Sequence, residues 1–133
     1  MSIEDLNVTG IENLPDEGPV VMVNLMKLHQ TAADGNGSGW DAYKRYSAAT
    51  MPMIKTRGGT VLWAGTAEAV SLGDPQADLW DFVVLVQYPS RAAFLDMMTS
   101  TEYAEQANPH RMAAAIKHVI VATTQTYGKL GSR

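Results

Sequence analysis

An α+β fold, a single four-stranded antiparallel sheet with helices on one face, is predicted by three observations. Apolar runs and turn residues fall in the order strand, helix, strand, strand, helices, strand, which is the split β-α-β layout of the ferredoxin-like class. The two most apolar strands, Val20 to Leu28 and Trp80 to Tyr88, are the first and the third, and that layout places the first and third strands in the middle of the sheet. In both strands the two alternating faces are mostly apolar: Val20, Met22, Met26 and Leu28 with Asn24 against Val21, Val23 and Leu25 with Lys27 in the first. Both faces of the sheet must then be covered. The chain's own helices cover one, and a second copy is expected on the other, giving a dimeric α/β barrel.

A chain of 133 residues is long enough for one core and too short for two. We divide it into an N-terminal arm (1–18), a single domain (19–127) and a tail (128–133). Hydrophobic residues make up 46% and charged residues 18%, which excludes a disordered chain. A net charge of -4 without a basic block excludes a nucleic-acid partner, because phosphate binding needs clustered Lys and Arg. There are no cysteines, hence no thiolate nucleophile, disulfide or sulfur-ligated metal. The first residues lack the apolar run of roughly 7 to 15 residues of a secretory signal, and no stretch is long enough to span a membrane, so a cytoplasmic protein is expected.

Taken in order, residues 1 to 18 are dense in turn formers, among them Asn7, Gly10, Asn13 and Pro15. After the first strand, His29 to Gly39 holds three glycines and predicts a flexible loop. Ser38-Gly-Trp-Asp41 has the spacing of a capping box and starts a helix. That helix carries Trp40, Tyr43, Tyr46, Ala49, Met53 and Ile54 at helical spacing, should kink or divide at Pro52, and closes at Gly58-Gly59. Thr60 to Val70 reads as an outer strand with a bulge at Gly65. Ser90 starts a second helix through Met98, Thr99 to Glu102 restarts a short one, and Asn108-Pro109 breaks it before a last turn. Lys117 to Tyr127, rich in Val, Ile and Thr, is the last strand.

The pieces Val20-Val-Met-Val-Asn-Leu25, the Tyr43 and Tyr46 helix ending in Gly58-Gly59, Tyr88-Pro-Ser-Arg91 with Ala93-Phe94, Ser100 to Tyr103, and His110-Arg111 before the last strand together resemble a bacterial domain-of-unknown-function family, number 1330, of the dimeric α/β-barrel superfamily. The resemblance covers about residues 19 to 126. It implies the fold and a homodimer; the superfamily includes cofactor-free monooxygenases, small isomerases and haem-binding members, and no activity transfers residue by residue.

Several residues are candidates for chemistry. Asn24 sits among apolar neighbours on a central strand, where an unpaired amide costs roughly 1 to 3 kcal/mol, so it ties strand to loop or contacts a ligand. Tyr43 and Tyr46 share a helix face and either orient a small substrate or pack with their hydroxyls at the core's edge; Tyr103 joins them as a ligand contact. Trp63 and Trp80 line an aromatic pocket or serve packing and the dimer. Asp81 is a general base if buried and a solvated strand-end carboxylate otherwise. Arg91 pairs with a substrate carboxylate or with Asp96 or Glu102. His110 and Arg111, in the break after Pro109, either point back toward a cavity, where His110 moves a proton, or face water. The spacing of His29, His110 and His118 suits no metal; haem on a single His is a weaker alternative, and no cofactor is expected. No nucleophile elbow or phosphate-binding glycine motif is present. The readings are a cofactor-free enzyme moving a proton on a small, aromatic substrate, or a non-catalytic dimeric module for a metabolite or protein.

Overall fold

The computed structural model describes residues 5–14 and 18–130, so expectations for 1–4, 15–17 and 131–133 lie outside the described residues. Four strands, β1 (Val20–Leu28), β2 (Thr60–Thr66), β3 (Phe82–Tyr88) and β4 (Ala115–Thr123), form one antiparallel sheet in the order β2-β3-β1-β4. The two most apolar strands are central, as their two-faced pattern requires. A short helix, α1 (Val8–Glu12), lies within the segment expected to be an arm.

Register separates the two faces. On the inner face Val20, Met22, Asn24 and Met26 stand opposite Tyr88, Val86, Val84 and Phe82, and these apolar residues are buried under the helices. On the outer face two rows cross the whole sheet, Trp63-Leu85-Val23-Val121 and Gly65-Val83-Leu25-Val119. The bulge of β2 falls between Val61 and Trp63, not at Gly65. Gly65 has a different reason to be glycine: the Trp63 ring lies where its Cβ would be, 2.3 Å from the nearest ring carbon.

The helix α2 (Gly39–Thr56) starts with both bonds of the capping box, Asp41 N–H to Ser38 Oγ at 3.0 Å and Ser38 N–H to Asp41 Oδ2 at 2.9 Å. It ends in paired bonds from Gly58 N–H to the Lys55 carbonyl and Gly59 N–H to the Ile54 carbonyl, with Gly58 at φ +77°, the left-handed turn that glycine adopts at least cost. Pro52 does not divide it; burial of Thr50, Met53 and Ile54 against the sheet compensates the one lost hydrogen bond. The loop 29–39 is pinned, not free: Thr31 bridges Ser38, and Arg45 donates to the Asn36 carbonyl and pairs with Asp34 at 3.0 Å.

Helix α3 (Arg91–Met98) is capped by Ser90. The expected break at Asn108-Pro109 is absent: a π-helical turn (Tyr103–Ala107) runs directly into α4 (Asn108–Ala114), with Pro109 in its first turn. β4 starts at Ala115, two residues before the expected Lys117, and ends at Thr123.

Gly39 is buried where α2 meets the end of β1, and a Cβ there would sit 2.0 Å from the His29 carbonyl oxygen, a backbone atom that cannot step aside. Gly39→Ala should destabilise the fold by about 2 kcal/mol or more, read as a lower urea midpoint; an unchanged midpoint would contradict this close approach.

Candidate functional site

Polar groups on the inner face converge where β1, β4 and α4 meet. Asn24 donates its amide to the carbonyls of Met22 at 3.3 Å and Val84 at 3.4 Å, which leaves Oδ1 as acceptor for His118 Nε2 at 2.9 Å. On the other side of the ring, His118 Nδ1 lies 3.4 Å from Arg111 Nη1. A guanidinium only donates, so Nδ1 must accept and the proton resides on Nε2. The imidazole is thereby held neutral in one tautomer. Burial, aided by the Arg111 cation, pulls its pKa down to about 3. Arg111 is itself steadied by Asn108, Nε to Oδ1 at 2.9 Å.

Beside this chain, the hydroxyls of Tyr46 and Tyr103 share a hydrogen bond of 2.7 Å, and the Tyr46 ring stands edge-on to His118. Tyr103 is wholly buried and Tyr46 nearly so. Burial pushes both phenols up, Tyr46 well above the ordinary range, so both keep their protons. Only one proton fits between the two oxygens; the other tyrosine points its own hydrogen elsewhere, and Tyr46 is the one that lines a cavity.

Two cavities flank the cluster. The first, about 310 Å³, lies between α2 and the inner face, with Asn24, Tyr43, Tyr46 and Thr50 as polar points among Phe82, Met97 and other apolar groups. The second, about 400 Å³, lies between α1, α3 and β4, and Arg111 and His118 form its polar end. Phe94, Met98 and Ile120 line both and partition them. Each is at the lower end of the roughly 300–1,000 Å³ of small-molecule sites.

The profile of a domain of unknown function, DUF1330, matches residues 39–124. The chain belongs to the DUF1330 family. A protein of unknown function from Rhodopseudomonas palustris is 32% identical with a TM-score of 0.82, over 96% of this chain and 100% of that one. A Dabb family protein with a ferredoxin-like fold from Mesorhizobium loti aligns with a TM-score of 0.51 at 13% identity, over 84% and 100% of the two chains. A Bacteroides thetaiotaomicron protein, provisionally described as an antibiotic biosynthesis monooxygenase, gives 0.50 at 12%, over 87% and 97%. These two likenesses bear on fold alone. No curated protein matches.

Among the residues anticipated from sequence, this DUF1330 chain brings Asn24, Tyr46, Tyr103 and Arg111 together, with Tyr43 on the first cavity, stacked on Trp40. Trp63 is on the opposite face of the sheet, and the Trp80 ring meets the ammonium groups of Lys27 and Lys117 at 5.6 and 5.5 Å. Asp81 is exposed and accepts the Leu28 N–H at 2.7 Å, closing the end of β1; the burial a general base would need is absent. Arg91 donates to the Leu14 carbonyl, while Asp96 and Glu102 face Arg57. His110, within α4 and not in a break, accepts from Arg45 Nε at 3.3 Å and lines neither cavity, nor does His29. His118 is the site histidine that sequence reasoning passed over. Its signal was alternation in β4, where His118, Ile120 and Ala122 share a face.

Because the folded pKa of His118 lies below that of the free imidazole, the unfolded chain binds the proton first. Stability should be full above about pH 6.5 and fall as pH drops toward 3, by at most about 1.4 kcal/mol per unit. Urea unfolding at pH 7 and pH 5.5 should show that loss in the native chain and a smaller one in His118→Gln; equal losses would mean that His118 is not held neutral.

Proposed function

We propose that this protein binds a small, largely apolar and aromatic molecule in the first cavity, with Tyr46 and Asn24 orienting its polar atom. The observation carrying this reading is a hydroxyl and an amide placed on the wall of a mainly apolar cavity of about 310 Å³, with Tyr46 kept neutral by burial. An apolar wall with a few convergent polar groups is the general make-up of such a site.

The alternative, a cofactor-free oxygenase or isomerase that moves a proton, asks for a base titrating near neutrality. His118, drawn down to about 3, and Tyr46, pushed up, supply none at the cluster. Fold-level likeness to a protein described as a monooxygenase does not alter that balance. We therefore favour binding and orientation over acid–base chemistry.

The methionine methyl groups give a direct test, since Met26 and Met97 line only the first cavity and Met22 only the second. Phenol or indole should shift the Met26 and Met97 methyl resonances, and Tyr46→Phe should weaken phenol binding about tenfold, the value of one hydrogen bond. Unmoved Met26 and Met97 signals across the titration would defeat the reading.

The partner of the outer sheet face is, in this reading, a second copy. Trp63 and Val121 are 47% and 46% exposed at the two ends of an apolar row that continues through Leu85 and Val23, and such continuity favours association. Native mass spectrometry should find a dimer, and Leu85→Arg, which sets a charge in the middle of the row, should give a folded monomer. A monomeric native chain would remove the homodimer.

A further inference from the structure

The second cavity contains a cation, Arg111, that meets no carboxylate among the described residues. Arg111 is half-buried, and its neighbours at hydrogen-bonding distance are all neutral: Asn108 Oδ1 at 2.9 Å, His118 Nδ1 at 3.4 Å and Met112 Sδ at 3.8 Å. Among the described residues no carboxylate lies within 4.0 Å of it. Asp5, the acid that lines the same cavity, is exposed at its rim. Elsewhere in the chain two arginines do meet acids: Arg45 meets Asp34, and Arg57 meets Asp96 and Glu102.

Three of the five guanidinium N–H groups serve these contacts, one each on Nε, Nη1 and Nη2, which leaves one on each terminal nitrogen. Arginine is the side chain whose N–H groups suit the two oxygens of a carboxylate. Removing a guanidinium from water without a carboxylate partner is costly, and among the described residues Arg111 has none. Away from Asp5 and Asn7, the wall is mainly apolar, with Leu6, Ile11, Leu14, Met22 and Phe94 among it. A bare inorganic anion would leave that wall uncovered, whereas a molecule with an apolar body and one anionic end satisfies both parts.

We propose that the second cavity is a binding site for a small organic monocarboxylate, its carboxylate on Arg111 and its apolar body among Leu6, Ile11, Met22 and Phe94. His118 takes part by position: with Nδ1 accepting and Nε2 tied to Asn24, it holds the guanidinium plane and adds no competing charge. The site is separate from the first cavity, across the partition of Phe94, Met98 and Ile120, and does not depend on what that cavity binds.

Benzoate and its neutral counterpart benzamide are the probes, followed in the full chain by the Met methyl resonances. Benzoate should shift Met22 and bind at least tenfold more tightly than benzamide; Arg111→Gln should abolish that difference, and Arg111→Lys should restore part of it. Equal affinity for acid and amide, or a benzoate response confined to Met26 and Met97, overturns the proposal. The comparison of the two probes on the native chain decides the matter even if Arg111→Gln does not fold. Because Met22 and the Met26 and Met97 pair report different cavities, failure here is distinct from failure of the first-cavity reading.

Discussion

A hydrogen-bond chain from the Arg111 guanidinium through His118 to the Asn24 amide, ending on the carbonyls of Met22 and Val84, is the constraint on which the inner face depends. Asn24 occupies a central strand that is otherwise apolar on that face, so its amide must be satisfied locally or cost about 1 to 3 kcal/mol. His118 satisfies it only as the Nε2–H tautomer, and Arg111 enforces that tautomer by offering Nδ1 nothing but a donor. Each link therefore fixes the next. A protonated imidazole would face both a cation and a buried setting, which is why the ring resists protonation.

The π-helical turn makes this convergence reachable. Tyr103 and Arg111 are eight positions apart, and in a regular α-helix at about 100° per residue they would point about 80° apart. Accommodating one extra residue, as a π turn does, brings them to within about 20°. Tyr103 can then meet Tyr46 while Arg111 reaches His118 on the same side of the helix. The Tyr103 carbonyl is satisfied by the Asn108 N–H, and Asn108 in turn holds Arg111, so the irregular turn and the cation support each other.

The features legible in the sequence were those that local chemistry dictates. The capping box at Ser38 and Asp41, the glycine pair after α2, and the two-faced apolar pattern of β1 and β3 each rest on neighbours within a few positions. What escaped depended on phase or on distance. Pro109 read as a break because proline lacks a donor, yet the helical run passes through it and His110 lies within α4. The π turn, which shifts helix phase without any marker residue, then hid the shared side of Tyr103 and Arg111. His118 was countable in the alternation of β4, but its partner Asn24 lies 94 positions away, and only strand pairing brings them together.

The two faces of the sheet place opposite demands on the same strands. Outward, Val, Leu and Trp63 lie in apolar rows that run across all four strands. Inward, the helices do not fill the space: methionines, among them Met22, Met26, Met97 and Met98, line the two cavities. Unbranched thioethers adapt to irregular gaps and re-pack around a guest more readily than branched side chains. A core built from close-fitting Ile and Val would have closed these cavities and left Arg111 shut in with its charge. The methionine lining and a cation with no carboxylate beside it among the described residues are thus parts of one arrangement, in which the space an apolar guest would occupy also leaves the guanidinium open to a counter-ion.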